Sequence, residues 1–223
     1  MNSLVGLEQS QPYLAWGGKI KPREVDQYQT WIIGHPNISA SAIVAECSGT
    51  ATAGTVAVSY LDYPRSLAMK YVEASGTAAI ATATVSGKDQ FNNVISETFV
   101  NANLGTTTTY GTKVFSYVGT VTLAGASTAA GDDMAIGYSN AGGTAVFGLP
   151  CKIGAVADVI RVNWIDNATA AKPGTCTVDT TLHAIKLGVG TISDQDEFIV
   201  VVKPTYNTDD SEGAKVTTAS YIS

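Results

Sequence analysis

From about residue 40 onward the chain is a succession of short segments in which apolar and polar residues alternate, separated by Gly, Asn, Asp and Ser. Alternation with a period of 2 puts successive side chains on opposite faces of an extended strand, so this pattern leaves little but a β fold open. In "AAIATATVSG" (78 to 87), Ile80, Thr82 and Thr84 fall on one face and Ala79, Ala81, Ala83 and Val85 on the other. The second face is small, which costs β propensity but lets a facing sheet or chain approach closely. In the next stretch, "SGKDQFNNVISETFV", Gly87, Lys88, Asp89 and Asn92-Asn93 supply turn chemistry. Alternation then resumes with Ile95, Glu97 and Phe99 opposite Val94, Ser96, Thr98 and Val100, which predicts a hairpin.

"NLGTTTTYGTKVF" (103 to 115) sets four threonines between Gly105 and Gly111. β-branched Thr favours extended backbone and the glycines permit sharp reversals, so the threonines are expected to form an extended edge segment or an outward loop. In "TKVFSYVGTVTL" the alternation assigns Phe115, Tyr117, Val121 and Leu123 to one face and Val114, Ser116, Val118, Thr120 and Thr122 to the other. "TVAVSYL", "DMAIGYS", "TAVFGLP", "ADVIRVNWID", "TVDTTLHAIKL", "EFIVVVKP" and "KVTTASYI" continue the pattern as further strands. In "RSLAMKYVEA" (65 to 74), Leu67, Lys70, Tyr71 and Ala74 have helical spacing, but the position before an alternating strand favours a strand there too. About ten strands at roughly ten-residue spacing predict an all-β body, a β-sandwich or jelly-roll-like fold, over residues 41–223.

Residues 1–40 read differently. This stretch carries Pro12, Pro22 and Pro36 together with aromatic and aliphatic residues, and it lacks a sustained period of 2 or 3.6. A disordered tail is poor in aromatics, so 1–40 is expected to be an extended N-terminal arm. Tyr13, Trp16, Ile20, Tyr28, Trp31 and Ile32 are its anchors, buried either on the chain's own body or on a neighbour.

Composition narrows the function. Charged residues make up only 14% of the 223 residues, against about 25% in an ordinary domain, so Thr, Ser, Asn and Gly must cover the surface. Hydroxyl-rich, charge-poor surfaces suit extracellular or particle-forming β proteins. A formal net charge of -6 with scattered Lys and Arg argues against nucleic-acid binding, which needs clustered cations; the tightest group, Lys19, Lys21 and Arg23, runs straight into Glu24 and Asp26. No apolar run reaches the ~18 residues of a membrane span, and the first residues, with Glu8 early, do not read as a signal peptide.

Neither a cofactor nor a metal is expected. Cys47, Cys151 and Cys176 are an odd set at long spacing and read as buried thiols. The acidic groups Asp132-Asp133, "SDQDEF" and "NTDDSEG" lack a calcium ligand ladder and read as solvated turns. "GYSNA" (137 to 141) begins like a nucleophile elbow but has Ala141 in the final glycine position. "LGVGTIS" (187 to 193) lacks the lysine of a phosphate loop. His35 and His183 are the only imidazoles, and His183 reads as a strand residue with an ordinary hydrogen bond. The expectation is a protein that is not an enzyme.

Taken in order, "TATVSGKDQFNNVISETFV", "GTTTTYGTKVFSYVGTVTL", "GGTAVFGLPCKI" and "ADVIRVNWID" resemble a series of short motifs in virion structural proteins of tailed bacteriophages. The resemblance covers roughly residues 65 to 166, with Asn92-Asn93 where a Gly-Asn turn is more usual. It implies a capsid decoration (cement) or other head-associated protein on the outer surface of the virion, with the major capsid protein as partner and a homotrimer as the expected assembly. No catalytic residue carries over. Tail, neck or fibre proteins form the alternative, with hydroxyl-rich loops binding a host glycan and an aromatic such as Tyr110 or Trp164 at a loop tip.

Overall fold

The computed structural model describes residues 28–48, 53–72, 81–101, 106–124, 133–139, 144–167 and 172–204. Every regular element among them is a β-strand except one 3-10 turn, Val156–Asp158. Three antiparallel sheets result.

The first runs in the order β1 (Gln29–Gly34), β16 (Glu197–Val202), β12 (Val159–Ile165), β13 (Lys172–Pro173). The second runs β2 (Val44–Ser48), β10 (Asp133–Tyr138), β5 (Leu67–Val72), β8 (Thr107–Tyr110). The long third sheet runs β14 (Cys176–Asp179), β15 (Ala184–Leu187), β11 (Val146–Gly148), β4 (Tyr60–Arg65), β9 (Phe115–Ala124), β6 (Ala81–Lys88), β7 (Val94–Asn101), with β3 (Ala53–Gly54) also on β9.

Two cores join these layers. Ile43, Leu67, Met69, Tyr71, Met134 and Ile136 of the second sheet and its approach meet Ala83, Val85, Phe99, Phe115, Val118 and Leu123 of the third. Ile33, Val162, Phe198, Val200 and Val202 of the first sheet meet Phe147, Ile185 and Leu187 of the third. Burying each large side chain contributes about 1.5–3 kcal/mol, enough to bind the layers wherever alternation aims such residues inward.

The faces expected from alternation hold in β6, where Ala83 and Val85 are fully buried and Thr82 and Thr84 are not. They hold in β7, where Phe99 is buried and Val94 is exposed. On the outer face of this hairpin Thr84 pairs with Thr98 through their hydroxyls at 3.0 Å, and Ser86 donates to Ser96 at 3.2 Å. Such cross-strand pairs explain how a surface poor in charge is stabilised. The connecting turn is organised by Asp89, whose Oδ1 accepts from the backbone N–H of Phe91 (2.8 Å) and Asn93 (2.9 Å). Asn92 takes φ 65, the left-handed conformation in which Asn substitutes best for glycine.

β9 departs from simple alternation. Its register against β6 steps from Ser86↔Thr120 to Gly87↔Val118, leaving Gly119 as an extra residue. A bulge reverses which side chains point inward, so Val118 is buried where Tyr117 was expected. Gly87 is required beside it, since a Cβ there would lie 1.9 Å from the Tyr117 carbonyl oxygen.

"TVDTTLHAIKL" is a hairpin, β14 to β15, and not a single strand. Asp179 Oδ1 accepts from the N–H of Thr181 and Leu182 (both 2.9 Å), an Asx turn that breaks the extended run. His183 therefore sits in the turn at φ 49 and not in a strand. "RSLAMKYVEA" contributes strand β5, and the threonine run forms β8 at an edge of the second sheet. "KVTTASYI" lies outside the described residues.

Candidate interaction surface

The expected arm anchors fall into two groups. Tyr13, Trp16 and Ile20 lie outside the described residues. Tyr28, Trp31 and Ile32 lie at and within β1, which pairs with β16 from Gln29↔Val202 to Gly34↔Glu197. The stretch taken to residue 40 as an arm thus has its last part built into a sheet, and alternation decides the fate of each side chain. Trp31, opposite Val200, is half-buried and meets the Tyr63 ring edge-on, centroids 6.3 Å apart. Ile32, opposite Ile199, is 51% exposed, and Tyr28 is 55% exposed.

The outward face of this sheet is apolar. Ile199 and Val201 alternate with the buried Phe198, Val200 and Val202 of β16, and both are half-exposed beside Ile32. On the far side of β16 a register shift between Val159 and Arg161 pushes Ile160 outward, and it is 50% exposed. Ile32, Ile199, Val201 and Ile160 therefore add apolar area to an accessible sheet face, the composition expected of a contact surface. Sequence reading found Ile32 but missed Ile199 and Val201. Their signal is "EFIVVV" itself, a continuous apolar run in which half the residues must point away from the core.

Behind β1 the layers are tied by polar groups that composition gave no reason to single out. Tyr63 of β4 spans to β1, its hydroxyl accepting from Gly34 N–H (3.0 Å) and donating to Gly34 O (2.7 Å). Asp62 Oδ2 accepts from Asn37 N–H (2.8 Å) and from Arg65 Nη1 (3.2 Å). Arg65, only 1% exposed, also donates from Nη1 to Asn37 O at 2.7 Å. Its guanidinium lies 4.3 Å from the Tyr138 ring centroid and 4.8 Å from that of Phe147. One side chain thus touches groups from all three sheets or their connections. Burial lowers the Arg65 pKa against the opposing pull of Asp62, and burial pushes the Tyr138 phenol up to about 12.

A groove of about 480 Å³ lies between the edge strand β8 and the β14–β15 hairpin. Tyr110, 42% exposed, stands at its rim with Thr112, Thr177, Asp179, Thr180 and Lys186. Trp164, the other aromatic expected at a loop tip, is instead half-buried and stacked on Phe198, centroids 6.2 Å apart.

The remaining reactive side chains serve the fold. His35 Nδ1 lies 3.0 Å from Asp194 O, and His183 Nδ1 lies within 3.2 Å of the backbone of Ile153. Burial lowers the His183 pKa, with the nearby Lys152 charge adding to it. Cys151 is buried, and burial pushes its thiol up to about 11; Cys176 is half-buried and shifted upward by burial. Ser139, of the elbow-like "GYSNA", is buried with its hydroxyl 2.8 Å from that of Thr144. Asp196 is buried, its Oδ2 accepting from Ser193 N–H at 2.8 Å, and so is not the solvated turn residue expected of "SDQDEF". Among the described residues no three His, Cys, Asp or Glu side chains gather as a metal site.

Compared with models of protein families, with curated proteins and with solved structures, the chain matches none.

Proposed function

We propose that the chain is a non-enzymatic structural protein of a tailed-phage virion, a decoration protein that binds the outer surface of the head lattice as a homotrimer and stabilises the shell. The observation that carries the reading is the β1 surface, where residues 1–27 lead into a strand at the outer edge of its sheet, flanked by exposed Tyr28 and Ile32. An arm rooted in a rigid sheet next to an apolar face can engage a neighbouring subunit at two linked points, and such linkage raises avidity roughly 10² to 10⁴-fold. Buried aromatic anchors offset the ~1 to 2 kcal/mol per residue of backbone entropy lost when an arm is ordered. The hydroxyl-paired β6–β7 face supports the same reading, since it stays stable without charges that would repel at close spacing on a lattice.

The test is co-sedimentation of the protein with expanded phage capsids that lack it, titrated to saturation. Saturable binding at a fixed ratio to capsid subunits, lost on deletion of residues 1–27, is the expected result. Failure to bind heads would refute it and favour the second reading, a tail or fibre adhesin for host glycans. The exposed Tyr110 at the rim of a threonine-lined groove supports that alternative, and it predicts host-cell binding that Tyr110→Ala abolishes.

A further inference from the structure

β1 ends its sheet, and among the described residues no strand lies on its outer side. Which of its peptide groups face out follows from the ladder. His35 N–H donates to Asp196 O at 2.8 Å, continuing the pairing of Ile33 with Phe198. In an antiparallel pair, residues bonded to the partner alternate with residues whose N–H and C=O point away. Residues 29, 31, 33 and 35 are therefore turned to β16, and 30, 32 and 34 are turned outward. Gly34 obeys this rule: both its backbone groups are met from the outside by the Tyr63 hydroxyl. Thr30 and Ile32 come next along the same edge and present two N–H and two C=O groups in register for a further strand. Beside them is a hollow of about 280 Å³ lined by Trp31, Ile32, Tyr63, Pro64 and Pro150.

We propose that residues 215–222 of the same chain, "KVTTASYI", add to β1 as an outer strand and close this edge. Three observations select this occupant. The segment alternates as a strand does, with Val216, Thr218, Ser220 and Ile222 opposite Lys215, Thr217, Ala219 and Tyr221. The described chain ends at Pro204, just past Val202, which is paired with Gln29 at the start of β1. Residues 205–214 then span up to about 33 Å, whereas the outer side of β1 is only about two strand spacings, ~10 Å, from β16. Leaving at the Gln29 end, the added strand runs parallel to β1, so Tyr221 and Ile222 arrive at the Gly34 end, where Tyr63 and the hollow are. Asp209, Asp210 and Glu212 remain in the connection. Main-chain bonds supply the pairing and the apolar hollow the register, the usual division of work when a strand is added to a sheet. Closing the edge also removes a site for uncontrolled pairing with other chains.

Amide hydrogen exchange on the full-length protein tests this independently of capsid binding. The Thr30 and Ile32 amides are expected to exchange at least about tenfold slower than in a full-length Thr218→Pro variant, which removes an N–H from the added strand. The Trp31 and Ile33 amides, bonded to β16, should stay protected in both and report that the fold is intact. Free exchange at Thr30 and Ile32 in the unaltered chain would overturn the proposal, as would protection indifferent to the proline. Protection that fades on dilution would also overturn it, because the strand would then come from a second copy.

Discussion

Replacing Arg65 with Ala and, separately, with Met separates two reasons for burying a guanidinium between three sheets. In its favour the group makes one charge-assisted bond to Asn37 O, about 1.5–3 kcal/mol, and two ring contacts of about 1–2 kcal/mol each. Against it stand the cost of desolvating the charge and the buried Nε and Nη2, which have no hydrogen-bond partner and cost about 1–3 kcal/mol each. The Asp62 pair at 3.2 Å does little to tip the balance, since Asp62 is 26% exposed and keeps the Asn37 and Tyr63 N–H groups as donors. These contributions nearly cancel, so what the residue chiefly supplies is volume between Tyr138 and Phe147. Arg65→Ala empties that volume and should cost about 3–5 kcal/mol. Arg65→Met retains most of it without the charge and should cost about 1 kcal/mol. Urea unfolding gives both values, and thermal melting should show Tm drops of roughly 6–20 °C and under about 4 °C for a chain of this size. If Met proves as damaging as Ala, the charge and not the volume holds the layers together, and the argument fails.

Gly87→Ala should disrupt the β6–β9 ladder, because the new Cβ would lie 1.9 Å from Tyr117 O; a loss at or above the top of the ~1–3 kcal/mol range for overpacking is expected in urea unfolding. Glu97 ties β7 to the segment after β8, its Oε1 accepting from Thr112 N–H (2.7 Å), Thr112 Oγ1 (3.1 Å) and Lys113 N–H (3.3 Å). Glu97→Ala should therefore cost about 2 kcal/mol and speed exchange of the Thr112 amide, while Glu97→Gln, which keeps an acceptor, should cost less than half as much. His183 has a folded-state pKa below its ordinary value, so the unfolded chain takes up the proton first as pH falls. Its contribution is complete above the unfolded pKa near 6.5 and is lost as pH drops toward the folded value. His183→Asn, tolerated at φ 49, should flatten the fall in urea midpoint between about pH 7 and about pH 5.

Alternation of side chains is a local property, and it was enough to identify the strands: β6, β7 and β16 keep the faces their residues imply, and the turn at Asp89 follows from Asp and Asn chemistry alone. The charge-poor, hydroxyl-rich surface was equally a matter of composition. What only the tertiary structure decided was set by partners distant in the chain. β1 became a strand by pairing with residues 197–202, which supply the hydrogen bonds that its own irregular sequence does not suggest. The bulge at Gly119 exchanged Tyr117 for Val118 because two strands of unequal local length had to remain paired, a constraint neither strand carries by itself. Arg65 is a lone cation in the sequence. It became the junction of three sheets only because packing brought Asn37, Tyr138 and Phe147 around it. The surface around β1 has the same origin, since Ile32 and Ile199 are far apart in the chain and the first sheet sets them side by side.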